Sequence, residues 1–164
     1  AGEDNAPQLD EQAASTWVYP TNLPVRQYQL SIAREALFRN TLVCLPTGLG
    51  KTLVAAVVML NYYRWFPTGK VVFMAPTRPL VAQQVRACHS IVGIPAEHTA
   101  QMRGGVRPEL RQRMWEERRV FFCTPQVLDN DVKRGRCDPS RFVCLVLDEA
   151  HKATGAYAYV HAVR

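Results

Sequence analysis

A chain of 164 residues with 48% hydrophobic content is long enough to bury one sizeable core and short for two domains. Its formal net charge of +6 and sequence pI of about 9.3 fit a polyanion partner, although an ordinary soluble protein can carry the same balance. The longest apolar stretch, Leu53 to Leu60, is too short to span a bilayer and lacks signal-peptide flanks, which argues against a membrane protein and for a soluble, intracellular one.

Along the chain, Ala1 to Ser15 is polar, acidic and without periodicity, so residues 1–16 are expected to form a flexible leader ahead of a folded domain over 17–164. The segment Tyr19-Pro20-Thr21-Asn22-Leu23-Pro24 is punctuated by proline and reads as extended, and Arg26 to Arg39 places Tyr28, Ile32, Ala36 and Leu37 at helical spacing. A repeating pattern follows. Apolar runs Leu42 to Leu45, Val71 to Ala75, Val120 to Cys123 and Val143 to Leu147 alternate with helical stretches at Lys51 to Tyr63, Leu80 to Val92, Pro108 to Glu117 and Gln126 to Arg134. His98 to Met102 adds a further short strand. Strands that are apolar on both faces and separated by helices predict an α/β fold, a mainly parallel sheet with helices on each side.

Two motifs carry the chemistry. The first is Leu45-Pro46-Thr47-Gly48-Leu49-Gly50-Lys51-Thr52, set between the apolar run 41–45 and an apolar helix. Small residues let backbone N–H groups approach phosphate oxygens closely, so Gly48 and Gly50 with Pro46, Thr47 and Leu49 read as a phosphate cradle, Lys51 as its point charge and Thr52 as a hydroxyl ligand for Mg²⁺. Leu45 stands where the strict phosphate-loop pattern has its first glycine. The second motif is Asp148-Glu149-Ala150-His151, at the end of the run Cys144 to Leu147. Asp148 is placed to hold the same ion, and Glu149 to orient a water for in-line attack on a nucleoside triphosphate. In open α/β sheets ligands bind beyond the carboxyl ends of the strands, which is where both motifs begin.

Other side chains are read more plainly. The five cysteines form no C-x-x-C pair and have no histidines at zinc-ligand spacing, so they are expected to be small buried thiols without disulfides. His89, His98 and His161 carry no expected chemistry, and Trp17, Trp65 and Trp115 are expected to pack. The stretch Arg103 to Arg119 is interrupted by Glu109, Glu116 and Glu117, and reads at least as well as a solvated helix as a DNA-facing one.

Three further segments occur in a telling order: Ala75-Pro76-Thr77-Arg78-Pro79-Leu80, the pair Gly104-Gly105, and Thr124-Pro125-Gln126-Val127-Leu128. They resemble motifs Ia, GG and Ib of superfamily 2 helicases, and with the phosphate loop and the acidic quartet they imply the first RecA-like domain of such a motor. The resemblance implies ATP and Mg²⁺ as cofactors and a strand-binding set of Thr77, Arg78, Gly104, Gly105, Thr124 and Pro125. It also implies a linking role for His151 between the nucleotide and strand sites. Arg26-Gln27-Tyr28-Gln29 is similar to the adenine-recognition motif, with Gln29 and Arg26 as the expected contacts and Gln27 as the competing choice.

Longer strings narrow the resemblance: Asn61-Tyr62-Tyr63-Arg64-Trp65-Phe66-Pro67, Val72-Phe73-Met74-Ala75-Pro76-Thr77 and Asp148-Glu149-Ala150-His151-Lys152-Ala153 resemble the Fanconi anaemia group M and Hef family of DNA translocases. That implies a nuclear, ATP-dependent motor acting on branched or duplex DNA in repair, with repair-complex partners reached through other regions. It also implies a second RecA-like domain that completes the ATP site; neither that domain nor the motif expected after the acidic quartet is found in these residues, so the chain by itself is expected to turn over slowly. An RNA-sensing helicase domain and a helicase-like binding module without efficient turnover are the alternatives.

Overall fold

The computed structural model describes residues 6–38 and 50–148. Among them, four parallel strands, β1 (Lys70–Met74), β2 (Thr99–Gln101), β3 (Val120–Cys123) and β4 (Phe142–Leu147), form one sheet in the order β2-β3-β1-β4. The apolar run predicted at 42–45 lies outside the described residues. Every residue of β3 is buried, as is β1 from Val71 onward, which is why neither strand shows polar alternation.

Side chains leave each strand alternately on opposite faces, and the two faces hold separate cores. On one side Val71, Phe73, Val120, Phe122 and Cys144 pack with α3 (Lys51–Trp65) and α4 (Arg78–Ile91). On the other, Val72, Met74, Phe121 and Cys123 pack with Trp115 of α5 (Pro108–Glu117) and with Val127 and Leu128 of α6 (Pro125–Lys133). Helices therefore cover both faces of a parallel sheet, as the apolar pattern predicts.

Proline sets several of the starts. It stands in the first two positions of α4, α5 and α6, where its missing N–H costs no helical hydrogen bond. Thr77 caps α4, its hydroxyl accepting from Leu80 N at 3.4 Å. Helix α3 is apolar almost all round because it is covered on two sides: Ala56 and Met59 meet the sheet core, while Val54 and Val57 meet Ala33 of α2 (Gln27–Phe38). No helix among the described residues is long and apolar enough to cross a membrane.

The amino-terminal segment differs from the flexible leader expected from its polarity. Residues Glu11–Ala14 form α1, capped by Asp10, and Ala13 and Ala14 rest on the core. Three anchors hold it: Asp10 N–H donates to Trp65 O at 2.7 Å, Trp65 Nε1 donates to Thr16 O at 2.9 Å, and fully buried Asn61 both accepts from Val18 N and donates to Val18 O. Main-chain groups dock this strap, so its side-chain composition gives no sign of the attachment.

Candidate nucleotide and nucleic-acid sites

Helix α3 ends at Trp65 and a short turn, closed by Gly69 N–H on Phe66 O at 2.9 Å, leads straight into β1. The helix therefore runs antiparallel to the strands, and its first residues, Lys51 and Thr52, return to their carboxyl edge. Two hydrogen bonds fix that edge. The Thr52 hydroxyl donates to Oε1 of Gln84, in the second turn of α4, at 3.0 Å. Asp148, directly after β4, donates its backbone N–H to the carbonyl of Met74, the last residue of β1, at 2.8 Å. Lys51, Thr52 and Asp148 thus share one rim with the starts of α4 and α6.

Gly50 enters α3 with φ 80° and ψ 29°, a left-handed conformation that a side chain resists. Gln29, only 5% exposed, lies against it: a Cβ built on Gly50 would fall 1.8 Å from Gln29 Nε2. Of the two glutamines weighed for adenine, Gln29 lies against Gly50, while Gln27 is exposed. Arg26 is also exposed, with Nη1 3.5 Å from the Tyr28 hydroxyl. Pro46, Thr47, Gly48, Leu49, Glu149 and His151 lie outside the described residues.

Beside this edge opens a cleft of about 200 Å³, lined by Arg78, Arg103, Gly104, Thr124, Gln126 and Asn130 among others. It brings together residues from all three segments read as strand-binding: Arg78, Gly104, and Thr124 with Gln126 and Val127. The two threonines differ. Thr77 uses its hydroxyl to cap α4, whereas Thr124 makes no side-chain capping hydrogen bond and lines the cleft. Gly105 is exposed in the adjoining loop, and Pro125 is buried as the first residue of α6. The expected strand-binding set lacks Gln126 and Asn130, while Arg103 opens the stretch read as either solvated or DNA-facing and lies on the cleft. For Gln126 and Asn130 the available signal is helical spacing, since positions four apart on α6 share a face.

The residues present suit a hard divalent cation. Thr52 gives its hydrogen to Gln84 and keeps its oxygen lone pairs, and Asp148 adds a carboxylate at the same rim, an all-oxygen donor set of the kind Mg²⁺ prefers. The cysteines fit no such role. Burial pushes the Cys88 and Cys144 thiols up to about 12, and raises Cys123 as well, so these are inert packing groups; among the described residues Cys88, Cys123, Cys137 and Cys144 are free thiols.

A family model described as DEAD/DEAH box helicase matches residues 26–161, most of the sequence. The chain belongs to the DEAD/DEAH box helicase family. Within it, this helicase domain is 61% identical over 152 residues to the Fanconi anemia group M protein homolog of Mus musculus, covering 93% of the chain and 8% of the mouse protein. It is 57% identical over 156 residues to the ATP-dependent DNA helicase fml1 of Schizosaccharomyces pombe, covering 95% of the chain and 19% of that relative. Among solved structures, the Pyrococcus furiosus Hef helicase domain superposes with a TM-score of 0.75 at 35% identity, over 93% of this chain and 30% of that one. The chain thus spans a small part of each relative it resembles, and its parallel sheet is the RecA-like α/β fold of a helicase domain.

Proposed function

We propose that the chain is the ATP-binding half of a DNA helicase or translocase that remodels branched DNA, replication forks and Holliday junctions, during repair in the nucleus. The fml1 relative is named an ATP-dependent DNA helicase, which supports DNA, while an Arabidopsis thaliana relative 58% identical to the chain is named an ATP-dependent RNA helicase, so ATP dependence is the shared part. The observation that carries most weight is the shared rim: Lys51 and Thr52 open α3 beside Asp148, and the basic cleft at the starts of α4 and α6 adjoins them.

In this reading Gln29 and Arg26 hold the adenine, and residues 46–50 cradle the phosphates. Lys51 neutralises charge on the β- and γ-phosphates, worth most where water is excluded. Thr52 and Asp148 would hold Mg²⁺, which would supply charge withdrawal from the same phosphates. Glu149 orients and deprotonates the attacking water, and His151 relays the state of the nucleotide to the strand side. Arg78, Gly104 and Thr124, with Thr77, Gly105 and Pro125 at their flanks, hold one strand by its sugar-phosphate backbone. A second RecA-like domain completes the ATP site with its arginines, and without it hydrolysis is slow.

DNA-stimulated ATP hydrolysis by the whole protein tests the reading, with Lys51→Ala and Asp148→Ala alongside. Both variants are expected to lose stimulated hydrolysis while keeping the fold. Wild-type turnover in either would remove the roles assigned here, and stimulation by RNA in preference to DNA would move the chain to an RNA-acting branch.

A further inference from the structure

Besides the start of α4, two parts of the chain line the cleft: the loop after β2 that carries Arg103 and Gly104, and α6 with its cap Thr124 and with Asn130. A buried guanidinium stands between them. Arg111 of α5, 5% exposed, grips the fully buried Asp131 of α6 with Nε on Oδ2 at 2.8 Å and Nη2 on Oδ1 at 2.9 Å. Its remaining nitrogen, Nη1, donates to the main-chain carbonyls of Val106 at 2.8 Å, Arg103 at 3.2 Å and Gly104 at 3.3 Å.

The carboxylate is itself held. Trp115 Nε1 donates to Asp131 Oδ2 at 2.8 Å, and Arg136 Nη1 to Oδ1 at 3.4 Å. A planar fork on a carboxylate fixed in this way has one orientation, which a flexible ammonium cannot reproduce. The loop follows from it by peptide geometry. In a trans peptide the N–H points opposite to the C=O, so carbonyls of Arg103 and Gly104 turned onto Arg111 aim the N–H groups of Gly104 and Gly105 away from it. Both glycines are exposed, and outward N–H groups beside Arg78 and Arg103 suit the oxygens of a phosphodiester.

We propose that Arg111, anchored on Asp131, is a positioning residue for nucleic acid: it sets the distance between the 103–106 loop and α6 and turns the Gly104 and Gly105 amides toward the strand. Arg111 touches no strand itself, being buried. The proposal rests on reading the cleft as the nucleic-acid contact.

The test uses the whole protein and a labelled single-stranded DNA oligonucleotide, with Arg111→Lys as the main variant. Its affinity for DNA is expected to fall about tenfold, on the order of one hydrogen bond to a charged group, while Mg·ATP affinity stays at the wild-type value. Because no cationic contact to phosphate is deleted, the salt dependence of binding keeps its slope, whereas Arg78→Ala is expected to flatten it. A paired replacement, Arg111→Met with Asp131→Leu, removes the buried charges together, so neither is left uncompensated, and also frees the loop. It is expected to lose DNA affinity as well. Wild-type DNA affinity in either folded variant overturns the proposal. If Arg78→Ala and Thr124→Ala bind DNA normally too, the cleft reading fails; if they weaken binding and the Arg111 variants do not, only the brace fails.

Discussion

Gln29 lies so close over Gly50 that a side chain there would displace it: a Cβ would meet the Gln29 amide nitrogen at 1.8 Å, and that amide, at the end of a buried side chain, would have to move. The same glycine has φ 80°, so an alanine is opposed twice, by the left-handed backbone and by the contact. The backbone part costs roughly 1–2 kcal/mol. Gly50→Ala is therefore expected to lower the melting temperature and weaken ATP binding. Gln29→Ala added to it relieves the contact but not the backbone, so stability recovers in part. Thermal unfolding of the single and double variants checks this, and a Gly50→Ala protein as stable as the parent would refute the packing.

The Thr52 hydroxyl gives its hydrogen to Gln84 at 3.0 Å, which leaves the oxygen turned for a cation. If the hydroxyl acts through the metal, Thr52→Ala lowers affinity for Mg·ATP and leaves metal-free ATP binding, measured with a chelator present, unchanged. Gln84→Leu removes the acceptor. It is expected to show a smaller loss of the same kind, with a stability cost of about 1 kcal/mol for one neutral hydrogen bond. Equal losses with and without metal in Thr52→Ala would show that the hydroxyl serves packing or direct phosphate contact instead.

Much of this architecture was legible because its signals are local. Proline at the first turn of α4, α5 and α6 marks their starts, and the short apolar runs Val120 to Cys123 and Val143 to Leu147 suit strands, the first fully buried and the second partly so. What escaped depends on partners distant in the chain. The docking of residues 10–18 rests on main-chain groups answered by Asn61 and Trp65. Arg111 sits in an arginine-rich stretch that reads as a solvated or a DNA-facing helix, yet its carboxylate partner is twenty positions on and completely buried. Trp115, one turn along the same helix face, was the available hint: an aromatic that size on a charged helix signals an inward face. Helix α3 also continues through Arg64 and Trp65, past its expected end at Tyr63, since Trp65 is a core residue.

Lys70 supplies a prediction in pH. Burial, together with Arg141 and Arg119 nearby, lowers its pKa from 10.5 to about 8, against smaller opposing effects of Glu116 and Cys137. Its ammonium donates to the carbonyls of Glu116 at 3.1 Å and Arg118 at 2.8 Å and lies 5.5 Å from the centre of the Phe121 ring. Below the folded value both states carry the proton and the fold bears the full cost of a partly desolvated charge. Between about 8 and 10.5 the unfolded chain still holds the proton and the folded one has released it, so this group's contribution to stability rises with pH. The buried thiols act in the opposite sense, since Cys88 and Cys144 are held near 12 against an ordinary 9.0 and penalise unfolding less as the unfolded thiols ionise. Comparison with Lys70→Met cancels the Cys88 and Cys144 background, because burial alone shifts those two thiols. Relative to Lys70→Met, the wild type is expected to gain stability as pH rises from about 8 toward 10.5. Denaturant unfolding of the two proteins across that range reads the difference directly, and a flat difference would mean that Lys70 keeps its ordinary pKa in the fold.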